Sequence, residues 1–253
     1  MGSGIDIGAL GVVGWSVLVF AALTVGVAKT AVPGAGTVAV ALFAATLPAK
    51  ESTATLLLLL IVGDLFALWA YRRHADWPTL LRLVPAVLGG LLLGVLFLAI
   101  ASDEWVRRGI GALLLVVVGV TLWRRWRARR ADAAPPAGRV AAAVYGTLGG
   151  FTTMVANAAG PVMSMYFLAA RFPVQAFLGT AAWFFAVVNI VKVPFAAALG
   201  LFTVDGLWID LILLPVVLIG AFTGRAIATR ITQRLFERIV VVVTVLGALY
   251  LLI

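Results

Sequence analysis

The chain has 253 residues, of which 64% are hydrophobic and only 11% charged, at a mean hydropathy of +1.15, too little polar surface to cover a water-soluble globule of this length. It contains no cysteine, which excludes disulfides, thiolate metal sites and cysteine nucleophiles and leaves the redox compartment open. The net charge of +9 does not point to nucleic acid, because five arginines sit together in Arg124-Arg125-Trp126-Arg127-Ala128-Arg129-Arg130 directly after an apolar run, the position of a juxtamembrane signal for the cytoplasmic side.

A helix needs roughly 20 apolar residues to cross the hydrocarbon core. Runs of that length recur from end to end, so the lipid bilayer is the expected solvent and the expected fold is an all-α polytopic membrane protein. Met1 to Asp6 lack the basic region and cleavage site of a signal peptide, and no segment is expected to be removed.

Hydrophobicity and helix breakers divide the first part into about Gly8–Ala31, Gly34–Leu47, Thr53–Tyr71, Thr79–Ile100 and Trp105–Trp123. The second is too short to span and reads as a half-helix or re-entrant arm. After a basic linker with Pro135-Pro136 the pattern returns as about Arg139–Ala156, Ala158–Ala170, Gln175–Leu199, Gly206–Thr229 and Leu235–Ile253, again with a short second element. The organisation expected is a membrane repeat over 1–123, a cytoplasmic linker over 124–138 and a second membrane repeat over 139–253.

Residue matches support a duplication. An offset of 125 puts Thr55 on Thr180 and Asp64 on Asn189, and one of 130 puts Pro85 on Pro215, Gly90 on Gly220, Gly94 on Gly224 and Arg108 on Arg238. Five passes per half invert the second half, so two inverted repeats related by an axis in the membrane plane are expected. The basic groups Arg72-Arg73 with Arg82, Arg124–Arg130, and Arg225, Arg230 and Arg234 are assigned to the cytoplasm. Asp103-Glu104 and Asp205 then fall on the opposite face, with both termini. Trp69, Trp77, Trp105, Trp123, Trp126 and Trp208 lie near span ends, and Trp15 and Trp183 deeper.

Each half opens on a break: Lys29-Thr30-Ala31-Val32-Pro33-Gly34-Ala35-Gly36-Thr37 and Gly149 to Pro161, which holds Thr152-Thr153 and Asn157-Ala158-Ala159-Gly160. Glycine and proline free backbone groups that hydrocarbon cannot pair, so such breaks line a cavity or lie inside protein, and a matched pair points to a transporter's binding site. Helix beginnings at about Gly34 and Ala158 present unpaired N–H groups and positive dipole ends to an anion. Thr30, Thr37, Thr152, Thr153, Ser164 and Asn157 either complete its hydrogen bonding or bond helix to helix; Gly36 is expected at the substrate, and Gly146, Gly149, Gly150 and Gly160 either contact it or close-pack.

Ionised groups inside a bilayer need a partner or a wet cavity. Lys29 either snorkels or binds an anion at the first break. Lys192, one turn after Asn189 and just before Pro194, meets an anion or pairs with a carboxylate. Asp64, read as the single acidic residue deep in a span, either carries a coupling proton or pairs permanently with Lys29 or Lys192. Catalytic and metal sites are not expected: the single histidine, His74, sits in a basic loop, which disfavours a Ser-His-Asp triad or a histidine metal cluster. No cofactor is expected.

The two halves, the basic linker and the breaks Pro33-Gly34-Ala35-Gly36 and Asn157-Ala158-Ala159-Gly160-Pro161 together resemble the sulfite exporter TauE/SafE family, also described as the toluene sulfonate uptake permease family. The chain lacks the Gly-x-Gly-Gly-Gly type cluster usual in each half. It is more similar to a branch with a lysine before the first break and Asn-Ala-Ala-Gly-Pro at the second. The resemblance implies movement of small sulfur-containing or carboxylated anions across a bacterial-type plasma membrane. The function expected is an alternating-access anion transporter, with proton coupling and homo-oligomerisation left open. The alternatives are an anion channel of the same fold and a structural or assembly protein.

Overall fold

The computed structural model describes residues 7–31, 36–128, 139–169, 172 and 174–227, and among them there are helices and no strand. After a 3-10 turn at Ile7–Leu10 come α1 (Gly11–Thr30), α2 (Gly36–Thr46) and α3 (Ala49–Tyr71), which tightens into a 3-10 turn at Arg72–His74. Then follow α4 (Trp77–Ile100), α5 (Asp103–Ala128), α6 (Arg139–Ala156), α7 (Ala159–Ala169), α8 (Val174–Ala198) and α9 (Val204–Ile227). The two elements expected to be short are short: α2 and α7 have 11 residues each, about 16 Å of helix. α5 runs on to Ala128, through the first of the arginines assigned to the linker. The expected tenth element, Leu235–Ile253, and the break residues Pro33, Gly34 and Ala35 lie outside the described residues.

Five of the described helices, those around α1, α3, α4, α8 and α9, are long and apolar enough to cross a bilayer. α6 is not among them, and its 18 residues include Gly146, Gly149, Gly150, Thr147, Thr152 and Thr153. α4 shows how these helices divide their surface. Leu81, Leu88, Leu92 and Leu96 are exposed while Leu83, Val87, Leu91 and Leu98 are buried, so leucine faces lipid on one side and protein on the other. Trp69, Trp77, Trp105, Trp123 and Trp208 are all exposed.

Polar groups hold the helix starts. The Asp76 carboxylate accepts the Thr79 N–H at 2.9 Å at the head of α4. Asp103, from the head of α5, accepts from the backbone N–H of Ala49 and Lys50 at 3.1 and 2.9 Å, satisfying first-turn donors of α3 from another helix.

The most extensive packing joins α4 to α6 and α1 to α9, followed by α3 on α8, and every one of these pairs crosses from one half of the chain to the other. Glycine makes the approach possible. A Cβ on Gly26 would lie 2.2 Å from Val217 O and 2.4 Å from Ala221 N, and one on Gly150 would lie 2.2 Å from Val87 O and 2.9 Å from Leu91 N. Val217 and Ala221 stand 130 residues after Val87 and Leu91, and Gly150 stands 124 after Gly26, so the two helix pairs make the same kind of backbone-to-backbone contact.

Candidate functional site

The last turn of α1 is closed from outside: Tyr71 of α3 donates its hydroxyl to Thr30 O at 3.1 Å. One residue earlier, Lys29 reaches α3, where its Nζ lies 2.5 Å from Asp64 Oδ1. The Lys29 ammonium also sits 4.7 Å from the centre of the Phe185 ring of α8, an additional attraction for a poorly hydrated cation.

The second break is a helix end built on an unusual backbone angle. Asn157 adopts φ 51°, a left-handed conformation that asparagine tolerates better than most residues. The Asn157 N–H bonds Thr153 O at 3.0 Å, the αL closure of a helix end, and the Ala158 N–H turns back to Thr152 O at 3.2 Å. The Asn157 amide donates to Thr53 O of α3 at 2.9 Å, and Thr53 Oγ1 lies 3.3 Å from Val155 O. The break is therefore tied across to the first half.

Between the breaks runs one polar chain. Asp64 Oδ2 accepts from Asn189 Nδ2 at 2.6 Å, so the two residues that the offset of 125 matches face each other. Asn189 Oδ1 accepts from Lys192 Nζ at 3.3 Å. Lys192 also donates to Thr153 Oγ1 at 3.2 Å and to Asn157 Oδ1. Asp64, Asn189 and Lys192 are each at most 2% exposed. Groups so buried in a membrane protein survive because each has partners.

A cavity of about 50 Å³ opens against this chain, and a water needs about 10–15 Å³ by this kind of measure. Its polar wall is Lys29, Thr37, Asp64, Thr153, Asn157 and Asn189, with Phe185 among the apolar groups. Gly36, the first residue of α2, and Gly160, the second of α7, also line it. Both short helices thus point their positive ends toward one space.

Of the expected residues, Thr30, Ala158 and Lys192 are not on the wall, nor are Thr152, Ser164, Gly146, Gly149 and Gly150. Thr30 Oγ1 turns back to Gly26 O at 3.0 Å and packs beside Gly224 of α9. Ala158 spends its N–H on Thr152, so α7 starts one residue later and Ala158 offers no free donor there. Lys192 lies behind the wall. Gly34 lies outside the described residues.

Sequence reading missed Phe185, although it stands one turn before Asn189 on α8, and Thr53, whose carbonyl role left no trace in residue type. It also missed Asp210. Asp64 is not the single buried acid in a span: Asp210 in α9 is 7% exposed, with neither carboxylate oxygen hydrogen-bonded. It sits in Ile209-Asp210-Leu211, close enough to the start of its span to be read as interfacial.

No curated protein and no solved structure matches the chain. The sulfite exporter TauE/SafE family model matches residues 18–251, an interval that takes in both breaks, every helix of the polar chain and nearly all the sequence. A multi-pass helical protein with a polar cavity between two broken helices, matched over almost its full length, belongs to the sulfite exporter TauE/SafE family of membrane transporters.

Proposed function

We propose that the protein carries a small anion through the cavity between the two breaks by alternating access across the plasma membrane. The observation that supports this best is a count of charge. Lys29 and Lys192 share one carboxylate, Asp64, in the polar chain, and Asp64 is already paired with Lys29. The three acceptors around Lys192 Nζ match the three donors of an ammonium, and none of them is a carboxylate, so an ammonium there would lack a counter-ion in a medium where that is costly. An anion supplies it, assisted by the N-termini of α2 and α7. The family's name and the cavity's size favour a small sulfur oxyanion, a sulfonate or a short carboxylate. Lys29, Thr37, Thr153, Asn157 and Asn189 bind the substrate, and Gly36 and Gly160 let it approach the backbone. Asp64 carries a coupling proton, because protonation releases Lys29 to the substrate.

Purified protein screened by thermal shift with sulfite, thiosulfate, methanesulfonate and small carboxylates should be stabilised by at least one, since a ligand at 100 times its Kd contributes about 2.7 kcal/mol. Reconstituted vesicles should then show saturable flux with trans-stimulation. Conductance without exchange would make it a channel, and no stabilisation across the panel would favour an assembly role.

A further inference from the structure

Lys192 is buried to within 1% and has no place on the cavity wall, yet three of the residues that form the polar wall are its hydrogen-bond partners. It meets each by an oxygen: Thr153 Oγ1, Asn157 Oδ1 and Asn189 Oδ1. Threonine and asparagine are amphoteric, able to donate or accept, so by themselves they recognise cations and anions alike. Held by a buried ammonium, they are no longer so. The hydroxyl of Thr153, accepting from Lys192, keeps its own hydrogen to give. Each asparagine NH2 has two hydrogens, one of which goes to Asp64 Oδ2 from Asn189 and one to Thr53 O from Asn157, leaving one on each. All three donors of the ammonium are meanwhile occupied, so the substrate has no hydrogen left to take from Lys192 itself.

We infer that Lys192 is a specificity-determining positioning residue, which makes the wall formed by Thr153, Asn157 and Asn189 a donor surface for an oxyanion without touching the substrate. The inference rests on the anion-binding reading above. The test is a double-mutant cycle on methanesulfonate binding to the purified full-length protein, measured by titration calorimetry with wild type, Lys29→Met, Lys192→Met, Thr153→Val and the Lys192→Met/Thr153→Val pair. Lys192→Met should weaken binding about tenfold or more, as expected when buried polar groups lose their partner. The pair should be no weaker than Lys192→Met alone, because the two changes remove one path of action. Losses that multiply would assign Lys192 an independent contact and overturn the inference, as would wild-type affinity in Lys192→Met. If Lys192→Met does not yield a monodisperse protein, Lys192→Gln, uncharged but with two donors, carries the same cycle with the same two outcomes. Failure of the underlying reading is separable. Absence of binding to wild type, or no effect of Lys29→Met, removes the anion site and this inference with it, whereas an effect of Lys29→Met without one of Lys192→Met removes only the role given to Lys192.

Discussion

Asp64 spends one carboxylate oxygen on Lys29 and the other on Asn189, so its protonation changes the partners of both halves at once. An Asp64→Asn variant should keep exchange of substrate but lose accumulation driven by an imposed pH gradient, measured in reconstituted vesicles; retained accumulation would take the proton away from Asp64. The same variant leaves two lysines without a carboxylate, and breaking a buried pair from one side costs about 3–5 kcal/mol. Adding Lys29→Met to Asp64→Asn restores the original net charge, and the double variant should melt higher than Asp64→Asn alone. Asn157 separates backbone from side chain. Asn157→Gly fits φ 51° and should fold while binding anion poorly. Asn157→Ala also strains the helix end by roughly 1–2 kcal/mol, so it should melt below Asn157→Gly. Equal melting of the two would show that the left-handed angle is not what holds the break.

At the scale of elements, the glycines decide which helices can meet. Gly26→Ala drives a methyl into the backbone of α9 and Gly150→Ala into that of α4, each at 2.2 Å from a carbonyl oxygen. Overpacking typically costs 1–3 kcal/mol, more where backbone must move. Both variants should lower the melting temperature in detergent by similar amounts, because the two approaches to backbone are equally close. Gly89→Ala, one residue from the tightly packed Gly90 but with nothing within 4 Å, should be neutral or stabilising by about 0.5–1 kcal/mol. A Gly26→Ala protein as stable as Gly89→Ala would show that α1 and α9 are not in backbone contact. The breaks follow a different rule: a left-handed asparagine separates α6 from α7, and the first turns of the two short helices, α2 and α7, lie against the cavity.

For the whole molecule, the arrangement of basic loops predicts orientation. The cysteine-free chain makes the test direct: with single cysteines and an impermeant thiol reagent on intact cells, Ser102→Cys, in the exposed turn between α4 and α5, should be labelled and Ala133→Cys should not. The reverse pattern would invert the protein. The packing of α1 on α9, α4 on α6 and α3 on α8 also means that the halves of the sequence interlock.

The sequence alone determined the helices, their breaks and the family, because hydrophobic run length, glycine and proline act locally and read the same wherever the helix is placed. It also matched Asp64 to Asn189 and marked Lys29, Thr153 and Asn157 as polar groups at breaks. It did not say that Asp64 and Asn189 touch, that Lys29 takes the carboxylate, or that Lys192 stands behind the wall while Phe185 stands on it. Nor did it say that α1 packs on α9 rather than on a neighbour in its own half. The reason lies in the solvent: a helix with lipid on one side and protein on the other is apolar all round, so its periodicity does not reveal which face turns inward. Close packing and a few polar bonds select that face, and some of these bonds join residues more than 100 positions apart, as between Thr53 and Asn157 or Asp64 and Asn189.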